Sequence, residues 1–303
     1  MQDPHEPTLV NLLKGGIVYS DRVTTVSPSY ANEIQTWEGG CGLHETLQGL
    51  HWKVGGILNG IETDSWNPAS DKSLPENYPS NPKFLDLVIE TKRKNREILL
   101  SRLNMHPTSA PLIVSITRLV KQKGPELIQA AIHHTLERGG SFILLGTCYD
   151  YDIEREFNHI RNHYHNHPNL YIGLYFNEIL ARQIYAAADA IVIPSLFEPC
   201  GLTQMISMRY GTIPIARETG GLADTIVDKD DIRFGEDQRT GFLFRYPNQN
   251  EVRHALDRLF QCFYHEPHSW KSLIRSGLTR NLSWSKSQEA YQELYFKNLR
   301  RSA

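Results

Sequence analysis

The chain has 303 residues, 40% of them hydrophobic, which is enough to bury one large core or two smaller ones. Its 32 basic and 34 acidic residues give a net charge of −2, which argues against a nucleic-acid-binding protein. No apolar run approaches the ~20 residues that span a bilayer, and no CxxC pair occurs, so we expect no membrane contact, reduced thiols and a cytoplasmic location.

The amino-terminal third of the sequence predicts short elements followed by a linker. Four elements are predicted there: a helix over 8–19, a strand over 23–26, a helix over 30–36 and a strand over 54–59, with a glycine-rich loop over 38–49. The stretch 65–83 is rich in Pro, Ser, Asn and Asp, which is typical of a linker. The stretch 84–103 then predicts a charged helix.

From Leu112 onward, predicted strands and helices alternate along the chain. The strands cover 112–116, 142–145, 170–174, 190–193 and 213–216, and the helices cover 125–138, 153–164, 179–188, about 200–210 and 222–227. Three closing helices are predicted over 251–264, 269–278 and 284–301. Regular alternation of this kind predicts an α/β fold with a doubly wound parallel sheet.

The strand over 190–193 leads into the most informative stretch of the sequence. Its apolar run suits a strand that is covered on both faces of a parallel sheet. The loop 195–199 then lies at the strand's carboxyl end, where ligands bind in open α/β sheets. The next helix would present the free amides of Gly201, Leu202 and Thr203 to the same crevice, where they favour an anion.

A second glycine turn, formed by Thr219, Gly220 and Gly221, follows the strand over 213–216. By itself a Gly-Gly pair is more often ordinary turn chemistry. Two such turns, separated by one β-α unit, predict a phosphate-bearing ligand held in a single crevice.

These motifs resemble those of the ADP-glucose-dependent glycogen and starch synthases, which are retaining glucosyltransferases of the two-domain GT-B type. The resemblance is carried by FEPCGLTQ at 197–204, TGGLADT at 219–225, ITRLVKQKG at 116–124, VSPSYANEI at 26–34, LNGIE at 58–62, WNP at 66–68 and TGF at 240–242. Because the motifs occur in order along nearly the whole chain, chance is a poor explanation.

The resemblance implies a GT-B fold and a division of the chain. The segment 1–64 would be the remnant of an amino-terminal, acceptor-side Rossmann-like domain, and 65–104 the linker and connecting helix. The segment 105–280 would be the Rossmann-like carboxyl-terminal domain that binds the nucleotide sugar, and 281–303 a closing helix that returns toward the first domain. The family's first domain begins with K-x-G-G-L, which is absent before Gly220, so we expect the carboxyl-terminal part of a synthase.

The activity implied by the resemblance is transfer of glucose from ADP-glucose to the non-reducing end of an α-1,4-glucan, with retention and without a metal or other cofactor. Glycogen and starch are both suitable acceptors. Two alternatives stay open: another GT-B transferase that uses a UDP- or GDP-sugar, and a donor-binding half that is inactive without a first domain.

Three charged residues carry the implied chemistry. Arg118 and Lys123 follow the strand over 112–116, and a guanidinium with an ammonium suits a diphosphate, although spacing alone favours two solvated surface cations. The resemblance implies that they bind the donor's phosphates and stabilise ADP as it leaves. Glu198 by position alone is a carboxylate at a helix start, and the resemblance implies an essential acid that contacts the glucose hydroxyls.

Other residues have both an ordinary and an implied role. Cys200 is by type a small buried hydrophobe rather than a nucleophile, and the resemblance makes it a packing or sugar contact. Phe176 is a core aromatic by pattern, and the implied role is stacking on adenine. Asn59 belongs to an Asn-Gly turn, and the implied position is the interdomain cleft. The donor pocket would be completed by Gly201, Leu202, Thr203, Thr219, Gly220 and Gly221.

The histidines His159, His163, His165 and His167 raise the hypothesis of a metal site. His159 and His163 share a helix face, but no HExxH motif is present and the run ends in a loop. A solvated helix end is the favoured interpretation.

Overall fold

Two parallel sheets organise the computed structural model, which describes residues 1–299. The small sheet pairs β1 (Val23–Thr25) with β2 (Val54–Gly56). The large sheet contains β3 (Leu112–Ile116), β4 (Ser141–Leu145), β5 (Leu170–Gly173), β6 (Ala190–Ile193), β7 (Ile213–Arg217) and β8 (Phe242–Phe244). Its strands are ordered β5-β4-β3-β6-β7-β8.

The strand order reverses between β3 and β6, which are hydrogen-bonded neighbours although β4 and β5 lie between them in the sequence. In chain order, the protein adds β4 and β5 on one side of β3 and then returns to add β6, β7 and β8 on the other. The carboxyl ends of β3 and β6 therefore flank a crevice of the kind in which α/β sheets bind ligands. The predicted doubly wound parallel sheet is confirmed.

Burial explains why the central strands are continuous apolar runs. All residues of β4 and β6 are buried, as are the first four of β3, because helices cover both faces of the sheet. The helices are α1 (Leu12–Tyr19), α2 (Pro28–Glu33), α3 (His44–Gly49), α4 (Leu85–Arg102), α5 (Pro125–Glu137), α6 (Tyr151–His163), α7 (Glu178–Ala187), α8 (Thr203–Arg209), α9 (Gly220–Thr225), α10 (Gln249–His265), α11 (Pro267–Thr279) and α12 (Trp284–Leu299).

Helices α1, α3 and α8 each differ from the prediction. The first helix begins at Leu12 rather than at position 8, because the Asn11 side chain caps it by accepting from the Lys14 amide at 2.8 Å. Helix α3 lies within the stretch 38–49, which was predicted to be a loop. Helix α8 begins at Thr203, after a left-handed Gly201 that cannot continue a helix. Positions 300 and 301 of the helix predicted over 284–301 lie outside the described residues.

The segment predicted as a linker is packed into the protein. Tyr78 is buried, and its hydroxyl donates to the Tyr210 carbonyl oxygen at 2.9 Å. The Tyr210 hydroxyl in turn donates to Asp71 Oδ2 at 2.6 Å, and Arg182 Nη1 donates to the same oxygen at 3.2 Å. These contacts with α7 and with the end of α8 hold a segment whose polar composition resembles that of a free linker.

Helix α4 is anchored by a buried lysine. Lys92 Nζ lies within hydrogen-bonding distance of three main-chain carbonyl oxygens, among them that of Tyr210 at 3.0 Å, and of Thr212 Oγ1 at 2.8 Å. Burial lowers the pKa of Lys92 to about 7, and the nearby Asp189 carboxylate opposes that shift. The helix predicted as charged therefore has one of its charged residues inside the core.

The amino-terminal segment, defined as 1–64, contacts the closing helix α12 and the residues just before it. The Ile61 amide donates to the Leu282 carbonyl oxygen at 2.8 Å, and Ser287 Oγ donates to the Leu58 carbonyl oxygen at 2.5 Å. All four cysteines are free thiols. None of the helices within residues 1–299 combines the length and the apolar character that a membrane span requires.

Candidate functional site

Two loops at the carboxyl edge of the large sheet are tied together where the strand order reverses. The loop after β3 and the loop after β6 exchange hydrogen bonds: the Leu196 amide donates to the Gln122 carbonyl oxygen at 2.7 Å, and Gln122 Nε2 donates to the Phe197 carbonyl oxygen at 3.1 Å. Gly124 has φ +64°, and a Cβ there would overlap the Pro194 carbonyl oxygen. Glycine is therefore required for this close approach.

A short ion pair joins the two loops. Lys123 Nζ lies 2.5 Å from Glu198 Oε2, and Ser195 Oγ donates to the same oxygen at 2.8 Å. The Lys123 and Glu198 side chains are only 17% and 8% exposed, so bulk water screens the pair weakly. Both bonds use Oε2, and Oε1 has no partner among residues 1–299. The carboxylate is thus fixed in orientation with one oxygen left for a ligand.

Arg118 lies two residues beyond the end of β3 and is exposed. Its main chain is held, since the Val120 amide donates to the Arg118 carbonyl oxygen at 3.0 Å. In the part of the chain that the structure describes, its guanidinium has no hydrogen-bond or ion-pair partner. A guanidinium that no protein carboxylate neutralises is available to an anionic ligand.

The main chain between Glu198 and Thr203 has a conformation that favours glycine. Gly201 has φ +73°, and a Cβ there would lie 2.6 Å from Gln204 Oε1 and 3.1 Å from Glu198 Cγ. The amides of Gly201, Leu202 and Thr203 have no acceptor within residues 1–299. Within the described residues, these three amides are therefore free to donate hydrogen bonds to a ligand.

The second glycine turn has a different arrangement from the one predicted. The Gly220 amide donates to Glu33 Oε1 at 2.7 Å, and Thr219 Oγ1 donates to the same oxygen at 2.9 Å. The Gly221 amide donates to the Glu198 carbonyl oxygen at 3.0 Å. The donors expected to face a phosphate are occupied by protein oxygens, because a carboxylate from the amino-terminal segment satisfies the start of α9.

Helices α2 and α9 cap each other. While Glu33 at the end of α2 holds the start of α9, Asp224 in α9 accepts from the Ser29 amide at 2.9 Å and from Ser29 Oγ at 2.6 Å, at the start of α2. Sequence reasoning missed Glu33, Asp224 and Ser195 as contributors to the site. Glu33 and Asp224 are far apart in the sequence, and only their place in short capped segments could have indicated them.

The remaining predicted residues lie around these loops. Phe176 follows β5 and is 79% exposed, so the core-aromatic interpretation is wrong. Strand β5 is two strands from β3, which is roughly 10 Å across the sheet. Cys200 is buried, and burial raises the pKa of its thiol, which disfavours a nucleophilic thiolate. Asn59 lines a cavity of about 210 Å³ together with Asp224 and Lys286, and its main chain is hydrogen-bonded to the Cys200 thiol.

The histidine-rich end of α6 is an aromatic cluster. The ring centroids of His163 and Tyr164 are 4.7 Å apart and those of Tyr164 and His167 are 5.6 Å apart, both edge to face. Across residues 1–299, no group of three or more His, Cys, Asp or Glu side chains has an arrangement that could hold a metal ion.

Comparisons with known proteins show which families and relatives the chain resembles. Residues 100–272 match the family model of glycosyl transferases group 1, and residues 1–49 match that of the starch synthase catalytic domain. The glycogen synthase of Protochlamydia amoebophila (strain UWE25) is 45% identical over 300 residues, which cover 97% of this chain and 60% of the relative. A probable starch synthase 4 of Arabidopsis thaliana is 44% identical over 304 residues, 100% of this chain and 29% of the relative.

Solved structures give the same picture. The catalytic domain of starch synthase IV from Arabidopsis thaliana, bound to ADP and acarbose, has a TM-score of 0.91 and 44% identity, and the match covers 98% of this chain and 59% of that chain. A sucrose-phosphate synthase from Thermosynechococcus elongatus has a TM-score of 0.63 at 20% identity, and the match covers 96% of this chain and 61% of that chain. At this identity the similarity shows a shared fold. The chain thus spans 60% or less of the length of the glycogen and starch synthases that it matches here.

Proposed function

Because this chain belongs to the glycogen and starch synthase family of the group 1 glycosyltransferases, we propose that it forms the donor-binding part of a glucosyltransferase. The reaction is transfer of glucose from ADP-glucose to the non-reducing end of an α-1,4-glucan, with retention of configuration. The observation that carries this proposal is the buried Lys123–Glu198 pair at the reversal of the strand order, beside an arginine that no protein carboxylate neutralises within residues 1–299.

The donor's diphosphate is assigned to Arg118 and Lys123. The guanidinium can form two parallel hydrogen bonds to phosphate oxygens, and the ammonium retains two further N–H groups besides the one directed at Glu198. Free amides at Gly201 to Thr203 provide additional donors at the same edge. As the bond from glucose C1 to the diphosphate breaks, these charges stabilise the negative charge that develops on the leaving oxygen.

Glu198 is assigned to the sugar. Its Oε2 is held by Lys123 and Ser195, so Oε1 has a fixed direction and can accept from a glucose hydroxyl. The acceptor's hydroxyl oxygen bonds to glucose C1 on the face from which the diphosphate leaves, and its proton passes to the departing diphosphate. Attack on that face retains the configuration without the second carboxylate that a retaining glycosidase requires.

The nucleotide's base is assigned to Phe176. A large apolar ring that is 79% exposed at the carboxyl edge has no packing role in the core, and a purine can stack on it. The starch synthase IV structure contains ADP, which supports a purine diphosphate for this chain as well. The acceptor side would be provided by the amino-terminal segment, together with a region that corresponds to the part of the relatives' sequence not matched by this chain.

The test is calorimetric titration of the chain with ADP and with UDP, carried out in parallel on Arg118→Ala and on Arg93→Ala. Arg93 is a matched control, because it is an exposed arginine on α4 that is paired with Glu97. We expect binding of ADP in preference to UDP, weakened about 10- to 100-fold by Arg118→Ala alone, since hydrogen bonds to charged groups contribute roughly 1.5–3 kcal/mol.

Two results would contradict the proposal. Preference for UDP would replace ADP-glucose with another nucleotide sugar as donor. Equal affinity of the wild type and Arg118→Ala for ADP would remove Arg118 from the site. A transfer assay with ADP-glucose and an α-glucan then measures whether this chain is active alone or requires the first domain of a relative in trans.

A further inference from the structure

We propose that Glu33 is a positioning residue for the loop that carries Glu198. Its carboxylate holds the turn formed by 219–221, and the main chain of Glu198 and Cys200 rests directly on that turn. The structural part of this proposal stands by itself. Its effect on donor binding rests on the proposed function.

The Glu33 carboxylate holds the turn formed by 219–221 through two hydrogen bonds. Glu33 Oε1 accepts from the Gly220 amide at 2.7 Å and from Thr219 Oγ1 at 2.9 Å. Thr219 and Gly220 are buried and Glu33 is half-buried, so water competes poorly for these bonds. An acceptor that carries a full charge gives the stronger type of hydrogen bond to an amide.

A carboxylate of α9 holds the start of α2 in the same way. Asp224 Oδ2 accepts from the Ser29 amide at 2.9 Å and Asp224 Oδ1 accepts from Ser29 Oγ at 2.6 Å. Because α2 and α9 are each held by a carboxylate of the other, neither helix can slide or rotate without breaking both sets of bonds. The position of the turn is therefore set by the amino-terminal segment.

The turn formed by 219–221 contacts the loop that carries Glu198 directly. The Gly221 amide donates to the Glu198 carbonyl oxygen at 3.0 Å. A Cβ on Gly220 would overlap that same oxygen, and a Cβ on Gly221 would overlap the Cys200 carbonyl oxygen. The turn and the loop thus touch main chain to main chain, without side chains between them that could absorb a displacement.

Arg217 gives Glu33 a second connection to the same loop. Burial lowers the pKa of Arg217, and the negative charge of nearby Glu33 opposes that shift. The Arg217 guanidinium donates to the Leu196 carbonyl oxygen, two residues before Glu198. Glu33 therefore acts on the loop through the glycine turn. It also interacts electrostatically with Arg217, which is hydrogen-bonded to the same loop.

The experiment combines hydrogen–deuterium exchange with calorimetry on the full chain. Glu33→Ala removes the carboxylate, Glu33→Gln keeps an acceptor oxygen without the charge, and Glu38→Ala is the matched control, an exposed glutamate without a partner within residues 1–299. We expect exchange of the Leu196 amide, which bonds to Gln122, and of the amides in 219–225 to be at least about threefold faster in Glu33→Ala than in the wild type or Glu38→Ala. We expect ADP affinity at a temperature well below unfolding to fall about 3- to 10-fold, with Glu33→Gln in between.

The outcomes separate this proposal from a merely structural role. If Glu33→Ala lowers the melting temperature but leaves exchange of the Leu196 amide unchanged, Glu33 stabilises the fold without positioning the loop and the proposal is wrong. If Glu33→Ala does not fold, the same decision is made on Glu33→Gln, where unchanged exchange of the Leu196 amide overturns the proposal. If the wild type binds no ADP, the proposed function fails, and the exchange measurement still decides the role of Glu33.

Discussion

Glu198→Gln is the substitution for which the structure makes the sharpest prediction. The change keeps the size of the side chain and removes its charge from a pair in which Lys123 Nζ lies 2.5 Å from Glu198 Oε2. Stability and affinity for ADP should then change in opposite directions. A residue that serves only the fold would lower both.

The effect on stability follows from the burial of the pair. Removing one member of a fully buried pair costs about 3–5 kcal/mol, because the other charge is left without compensation. Lys123 is 17% exposed and can turn partly toward water, which places this pair below that range. We expect the free energy of unfolding to fall by about 1–3 kcal/mol, or a few degrees in melting temperature per kcal/mol.

The affinity for ADP should rise in Glu198→Gln, because the Glu198 carboxylate repels the diphosphate that Lys123 attracts. Two charges about 6 Å apart interact by roughly 0.7 kcal/mol in water and by about 3 kcal/mol at an effective dielectric constant of ~20. The site lies between these limits. Relief of this repulsion should strengthen ADP binding about 3- to 10-fold, while transfer of glucose is lost because the carboxylate that contacts the sugar is gone.

The assay is calorimetric titration of ADP, with chemical denaturation of the same samples. Glu126→Gln, which removes an exposed charge from the first turn of α5, controls for the general change in net charge. If a folded Glu198→Gln protein bound ADP about ten times more weakly than the wild type, Glu198 would contribute to phosphate binding and the division of roles between Glu198 and Lys123 would be refuted.

Three further predictions concern the base, the core and the loop contact. Phe176→Ala should weaken ADP binding about 5- to 100-fold in calorimetry, since stacking on a base contributes roughly 1–3 kcal/mol, and Phe176→Tyr should restore it. For Lys92, the folded pKa of about 7 lies below the unfolded value, so the unfolded chain binds more protons above neutral pH. The wild type should therefore gain stability relative to Lys92→Met between about pH 7 and pH 10 in denaturant titrations, and a constant difference would contradict the shift. Gly124→Ala should lower the melting temperature, because φ is +64° and the added Cβ overlaps a carbonyl oxygen; an unchanged melting temperature would contradict this close approach.

The large sheet could be predicted from the sequence because its signal is local. Strands such as 112–116 and 190–193 are apolar and β-branched, and each is followed by a helix whose apolar positions recur with helical spacing. The pattern also predicted that the loop after β6 and the glycine turn after β7 face one crevice. It could not show that Lys123 and Glu198 form an ion pair, since that contact joins residues 75 positions apart.

The contacts that sequence reasoning missed are those in which a local pattern has an ordinary explanation. The stretch 65–83 has the composition of a linker, yet Asp71 and Tyr78 are fixed by Tyr210, which is far away in the sequence. Thr219 to Gly221 has the composition of a phosphate turn, yet the oxygen on its donors belongs to Glu33, 186 positions away. In both cases the local residues offer donors and acceptors, and only the tertiary fold decides which partner they meet.

The distribution of these contacts has a consequence for how the site can vary. The strands that support the loops are buried on both faces, so substitutions there change stability first. The loops themselves are held by main-chain bonds, to each other through Gln122 and Leu196 and to the turn at Gly221. Because Glu33 holds that turn in position, the attachment of the amino-terminal segment and the geometry of the Glu198 loop are mechanically coupled. A change that loosens the one must alter the other, even where no residue of the donor site is replaced.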